Sequence, residues 1–330
     1  ITIDLTDEER RLLDFPQIIN SSTMVDKSHT CANYKNILSN GLISYENRIM
    51  EELKKDENNE YLLSMKECIH VVHNFSNRIA YFVDEKITYA SPQEKVRLIK
   101  IRDCAKKVPY HPAESFVEAL QSIWIIHFLI PMAENAWYSI SLGRFDQYMY
   151  PYYKMEIENG TSKQQIKAML HQFNNLLNHY SDGACLLNVG GTEYNELSEL
   201  LIECQKEFNM PAPILGARIA RNSPDRIFDM LIDERLFSAG QPTFYSEDGC
   251  VKALIEKGVS PEEAKDFANN SCMGISLPGK EVNSMWGCVF NVSAAVEMAV
   301  NNGKLLKDSD EISCAAIRTT EELFEKFATY

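Results

Sequence analysis

Asn269-Asn270-Ser271-Cys272-Met273-Gly274-Ile275-Ser276-Leu277-Pro278-Gly279-Lys280-Glu281 is the stretch on which the reading of this chain turns. Just upstream, Ser260-Pro261-Glu262-Glu263 supplies an N-cap serine, a proline at the first helical position and a capping-box glutamate, so a helix is predicted to open there. The two asparagines break its pattern near Phe267-Ala268 and favour a turn. The thiol of Cys272 then stands where a helix runs into loop formers, a place that suits a reactive sulfur better than a packing one. The competing reading is a small buried hydrophobe, the usual role of free cysteine. No histidine lies downstream of His179. A Cys-His pair would have to be made in space with His111, His127, His171 or His179, and the sequence prefers none of them.

Composition narrows what such a thiol can serve. The 330 residues are 45% hydrophobic and 24% charged, enough for one large core or two small ones. Lys+Arg 33 against Asp+Glu 47 gives a formal charge of −14, which argues against nucleic acid and anionic membrane as partners. The longest apolar run, Ile123 to Ile130, carries His127 and falls short of the roughly 18 residues a bilayer span needs. The acidic, amphipathic start does not read as a signal peptide. Nine scattered cysteines without a Cys-x-x-Cys pair read as a reduced, cytoplasmic complement, with neither a disulfide framework nor a metal site.

Outward from the cysteine loop, residues 1 to about 180 read as mainly helical, and 181–330 as strands alternating with helices. Helices are predicted from Thr6, over Tyr34–Leu53, from Glu60 to about Val83, after the cap at Ser91, and from Pro112. The last carries Phe116, Ala119, Leu120, Ile123, Trp124 and His127 on one buried stripe, where His127 reads as a satisfied core histidine. Strands are predicted near 184–189, 213–219, 242–245 and 289–292. Helices are expected to open near Thr192, Ser223 and Ser260. That alternation implies parallel pairing and an α/β sheet or barrel. Gly190-Gly191 lacks the frame of a phosphate loop.

Three further stretches stand out. Ser139 to Tyr153 packs four tyrosines with Arg144 and Asp146 around a proline; Gly240-Gln241-Pro242 leads a strand into the acidic turn Ser246-Glu247-Asp248; and Trp286-Gly287-Cys288 follows the cysteine loop. Arg144 and Asp146 read first as a buried ion pair holding a helix end. In this order, Glu118-Ala119-Leu120-Gln121-Ser122-Ile123-Trp124, Gly143-Arg144-Phe145-Asp146-Gln147-Tyr148, Gly240-Gln241-Pro242, Gly258-Val259-Ser260 and Pro278-Gly279-Lys280-Glu281 resemble the glycyl radical enzymes, the superfamily of pyruvate formate-lyase. The pattern is most similar to the dehydratase and lyase branch and covers nearly the whole chain.

The resemblance implies a single pyruvate formate-lyase-like domain over 1–330, part of a ten-stranded α/β barrel. It implies a radical lyase acting on a small organic molecule. Cys272 matches the cysteine whose thiyl radical abstracts hydrogen, and Tyr138, Ser139, Ser141, Arg144 and Glu247 are candidate substrate contacts. No bound cofactor or metal is implied. The radical is installed on a glycine by an activating enzyme that uses S-adenosylmethionine and an iron–sulfur cluster. The implied partners are that enzyme, the small substrate and a further copy of the chain.

Two departures accompany the resemblance. The dehydratase-type glutamate two residues after the cysteine is Gly274 here, which cannot move a proton. That leaves open cleavage of a C–C or of a C–X bond, with Glu247, Asp248 or Glu281 as alternative carboxylates. No Arg-Val-x-Gly-Tyr-like motif occurs in the 330 residues. The chain is therefore expected to be a piece that needs a missing half-barrel and glycyl segment, or a complementing chain, and to be inactive alone. The alternatives are a non-catalytic relative acting as a binding module, and a conventional thiol enzyme.

Overall fold

The computed structural model describes residues 19–20, 29–134, 139–180, 185–270, 274–281 and 289–290, with five further positions between 310 and 318. The chain divides into two compact units, residues 1–26 with 284–330, and residues 27–283. In the first, β1 (Ile19–Asn20) pairs antiparallel with the strand Val289–Phe290. The helix predicted from Thr6, and the rest of the strand predicted to 292, lie outside the described residues.

In the second unit the helices begin where side chains cap them. Asn33 accepts from the N–H of Asn36 ahead of Tyr34–Leu53, and Asn59 from that of Leu62 ahead of Glu60–Tyr89. Ser91 and Glu94 form a reciprocal capping box ahead of Pro92–Lys107. The second helix runs on to Tyr89, past its expected end at Val83. The helix expected from Pro112 starts instead at Phe116. Its start signals are one turn later: the Glu118 carboxylate accepts from Glu114 N–H, and Ser115 Oγ from Glu118 N–H. Of the predicted stripe, Phe116, Ala119, Leu120, Ile123 and His127 are buried and Trp124 partly buried.

Gly41 interrupts Tyr34–Leu53 with φ 69° and ψ 167°, so one predicted helix is two stretches joined at a kink. Across it, Leu42 and Ile43 N–H groups have no helical carbonyl and donate to Pro109 and Tyr110 carbonyls, both at 3.0 Å. A Cβ at Gly41 would stand 2.4 Å from the Tyr110 oxygen. Gly41→Ala is therefore expected to cost about 2 kcal/mol or more, combining left-handed strain with a backbone clash. The midpoint of urea unfolding checks this.

The sheet is parallel. β2 (Leu186–Gly191), β3 (Ile214–Ile219) and β4 (Thr243–Ser246) pair in that order, with Asn188 opposite Gly216 and Gly216 opposite Thr243. Parallel bridges from Cys31 to Ser141 and from Ser141 to Leu186 add two more segments on the β2 side. Parallel neighbours need crossovers. Here they are Glu196–Phe208 between β2 and β3, and Asp225–Leu231 with Glu234–Ser238 between β3 and β4. The capped start expected near Thr192 falls at Asn195.

Strand alternation then sorts the side chains. Leu187, Val189, Leu215 and Ala217 join the main apolar core with Leu197, Leu201 and Ile227. Asn188, Gly190, Gly216 and Arg218 occupy the alternate positions and face the other way. Gly190 and Gly191 have φ of 81° and 111°, and a Cβ on Gly190 would overlap the Tyr194 ring. Ser246-Glu247-Asp248, expected as a turn, is the start of the helix Glu247–Glu256, with Ser246 Oγ accepting from Gly249 N–H at 3.2 Å.

Candidate active site

The helix opened by Ser260 is short, Pro261–Lys265, and a hairpin follows: β5 (Ala268–Asn270) antiparallel to β6 (Gly274–Ser276), with Asn270 opposite Gly274. The two asparagines thus lie in a strand, not the expected turn. Their partners come from distant chain and override local preference. Asn269 N–H donates to Asn188 Oδ1 at 2.7 Å, and Asn270 Nδ2 to the His29 carbonyl at 2.8 Å. Cys272 lies between these strands in sequence and outside the described residues, as does Tyr138.

The approach to β5 is held by Arg218, whose side chain is wholly buried. Its Nη1 donates to the Phe267 carbonyl at 2.6 Å, Nη2 to that of Lys265 at 2.9 Å, and Nε to Glu247 at 2.8 Å. The guanidinium also lies 3.7 Å from the centre of the Phe267 ring. Burial, and then the nearby Arg144, push the Arg218 pKa down to about 10, which leaves it cationic at neutral pH beside the Glu247 carboxylate. Arg144 Nη1 donates to the same Lys265 carbonyl at 3.0 Å, so two arginines converge on one oxygen.

The exit from β6 is held by the Pro278–Glu281 motif. Gly279, φ 68°, donates its N–H to the Cys31 carbonyl at 2.7 Å, and a Cβ there would stand 2.5 Å from that of Asn33. Lys280 pairs with Glu263, and the Glu281 carboxylate accepts from Leu277 N–H at 2.8 Å. Thr30 Oγ1 donates to the Glu281 carbonyl.

The candidate side chains take these places. Ser139 is buried with φ 57°, and Ser141 Oγ accepts from Gly143 N–H at 2.9 Å. Arg144 and Asp146 take different partners rather than each other. Asp146 Oδ2 accepts from Gly190 N–H at 2.7 Å and Ser198 Oγ at 2.6 Å, and burial raises its pKa. Glu247 is tied to Arg218, and Asp248 accepts from Arg221 N–H. A cleft of about 370 Å³ brings Arg144 together with both flanks of the hairpin, lined among others by Cys31, Tyr34, Lys265 and Pro278. Sequence reasoning singled out neither Asn188 nor Arg218. Each is a polar residue within an apolar strand, which is the signal that would have found it.

His127 is buried and hydrogen-bonded to the Tyr34 hydroxyl at 3.2 Å, and burial lowers its pKa from 6.5 to about 4. The unfolded chain therefore takes up a proton between pH 6.5 and 4 that the folded one refuses. The stability contribution is complete above pH 6.5 and is lost as pH falls toward 4. His127→Gln is expected to flatten the pH dependence of unfolding free energy by about 1 kcal/mol per pH unit in that window, read from urea melts at several pH values. Among the described residues no group of three or more His, Cys, Asp or Glu is placed to hold a metal ion, and no helix is long and apolar enough to cross a membrane.

The chain matches the family model for pyruvate formate lyase-like proteins over residues 4–330. It is 29% identical over 243 residues to the isethionate sulfite-lyase of Bilophila wadsworthia, covering 67% of this chain and 29% of the relative. It is 25% identical over 262 residues to the trans-4-hydroxy-L-proline dehydratase of Clostridioides difficile, covering 71% and 33%. A solved structure concerning 1,2-propanediol dehydration in Roseburia inulinivorans shares the fold, with a TM-score of 0.81 at 23% identity, covering 96% of this chain and 45% of that one. The chain therefore belongs to the pyruvate formate lyase-like family, the glycyl radical enzymes, in their dehydratase and lyase branch. It spans about a third of the length of the curated relatives it matches.

Proposed function

We propose that the chain forms the cysteine-bearing part of a glycyl radical lyase, with a thiyl radical on Cys272 abstracting hydrogen from a small polar organic substrate. The observation that carries this is the bracing of the segment. Cys272 is bracketed by two short strands, one tied to the parallel sheet by Asn188 and Arg218, the other to the Cys31 edge by Gly279. A residue that exchanges a hydrogen atom with carbon must be held at contact distance, and rigid flanks serve that need.

In this reading residues 1–330 are one pyruvate formate-lyase-like domain, and the parallel run from Cys31 through β4 is part of a ten-stranded barrel. The glycyl radical would supply the unpaired electron, its carbon taking the hydrogen atom of the Cys272 thiol and giving it back at the end of the cycle, with no net oxidation. Its glycine belongs to sequence beyond these residues or to a complementing chain, and a radical S-adenosylmethionine enzyme generates it. The relatives named as dehydratases and sulfite-lyase favour a C–X bond as the one broken. Tyr138, Ser139, Ser141, Arg144 and Glu247 remain the proposed substrate-side groups. Arg144 borders the cleft, whereas Glu247 acts through Arg218.

The test begins with native mass spectrometry of the protein isolated anaerobically. The expected result is that these residues travel with, or within, a polypeptide bearing a glycyl motif, and that activation yields turnover on hydroxylated or sulfonated small molecules. Gly274, which stands where the branch places a proton-moving glutamate, favours one other reading, a non-catalytic binding relative. Ligand binding without turnover beside a radical-bearing partner would establish that reading instead.

A further inference from the structure

We propose that Asn188 is the positioning residue of the cysteine hairpin, a side-chain clamp from the centre of the parallel sheet that sets where β5 delivers Cys272. The inference rests on the radical reading of Cys272 for its catalytic consequence, and on geometry alone for the clamp.

Asn188 is fully buried in β2 and lies on the face opposite the apolar core. Its Oδ1 accepts from Asn269 N–H at 2.7 Å, and its Nδ2 makes a longer contact of 3.5 Å with the Asn269 carbonyl. The side chain thus meets the backbone of Asn269 as a neighbouring strand would, through one acceptor and one donor. The buried Asn269 carboxamide, by contrast, has neither its oxygen nor its nitrogen hydrogen-bonded. The strand is held at this residue by its backbone, through Asn188.

Gly216 supports the assignment independently. It pairs with Asn188 across β2 and β3, and a Cβ there would stand 2.8 Å from Asn188 Nδ2 and 2.9 Å from Asn269 Nδ2. The absent side chain is the room in which the two amides sit. The effect of Asn188 reaches the chemistry through three residues of backbone, from Asn269 to Cys272.

The experiment uses the full-length protein and two variants, Asn188→Ala and Gly216→Ala. Amide hydrogen exchange is followed by mass spectrometry, with alkylation of Cys272 measured against exposed Cys68 and turnover after activation. Both variants are expected to exchange about tenfold faster in the 268–276 segment, the loss of one buried hydrogen bond, with the helix Glu60–Tyr89 unchanged. Alkylation of Cys272 rises relative to Cys68. Turnover falls on the order of a hundredfold at wild-type glycyl radical content, because a displaced reactant loses its near-attack geometry.

Unchanged exchange in the hairpin of Asn188→Ala overturns the clamp. Faster exchange that spreads to Glu60–Tyr89 overturns it also, since Asn188 then serves the whole fold. A loosened hairpin with wild-type turnover removes the catalytic consequence. Failure of the radical reading shows elsewhere, as wild-type turnover in Cys272→Ser, and leaves the exchange result to decide the clamp by itself.

Discussion

Cys272→Ser, in the protein assembled with its glycyl radical, is expected to lose turnover by about a thousandfold or more, equivalent to about 4 kcal/mol of barrier. Thiol S–H and activated C–H bonds have comparable strengths, so hydrogen passes between them with little net change in energy. The O–H bond of serine is much stronger, and a carbon-centred glycyl radical cannot draw that hydrogen away. Serine differs from cysteine by one atom and fits the same space, so the substitution separates chemistry from packing. The electron paramagnetic resonance signal of the glycyl radical should persist at wild-type intensity while product formation stops. Retained activity would remove Cys272 from the mechanism. Loss of the radical signal together with activity would instead assign the residue to assembly or activation.

The second large effect is expected at the buried Arg218–Glu247 pair, 2.7 Å apart with side chains 0% and 2% exposed. Glu247→Leu leaves a buried cation balanced only by two carbonyls. Arg218→Met leaves a buried carboxylate and frees the Phe267 carbonyl as well, while Arg144 still donates to that of Lys265. Each single change is expected to destabilise the protein by about 3–5 kcal/mol. The double variant should recover much of that loss, since removing both charges leaves neither unpaired. Urea unfolding of the four species closes the cycle. Single losses below about 1 kcal/mol would show that water or a rearranged partner compensates the lone charge. The glutamate side carries a second consequence. A Glu247 held by Arg218 serves the hairpin's base, so its removal should disturb the approach to β5 along with any substrate contact.

Much of the scaffold was legible in the sequence because its signals are local. Ser91 and Glu94 are three residues apart and form the capping box that their spacing predicts. Phe116, Ala119, Leu120, Ile123 and His127 of the predicted stripe are buried, though Trp124 is only partly so and Ile125 and Ile126 off the stripe are buried too. The alternation of strands and helices after residue 181 implied parallel pairing, which β2, β3 and β4 show. Where a local signal misled, a longer-range partner had overruled it. Asn269 and Asn270 favour a turn in isolation, yet Asn188 holds the Asn269 backbone and the His29 carbonyl the Asn270 side-chain nitrogen in a strand. The acidic cluster at Glu247-Asp248 reads as a turn in the sequence, and the Ser246 cap with Arg218 beside Glu247 makes it a helix start instead.

The sequence by itself determined the family, the thiol on which the proposed chemistry rests, and the departure at Gly274. All three are carried by residue identities in chain order, which no folding event alters. Only the tertiary structure decided how the hairpin around that thiol is held. Asn188 and Asn269 are 81 residues apart, Arg218 and Phe267 are 49 apart, and Thr30 and Glu281 are 251 apart. Contacts across such separations leave no periodicity or cap for a sequence to display. They form because a buried amide or guanidinium is costly to leave unpaired, and only the folded sheet brings a backbone partner within reach.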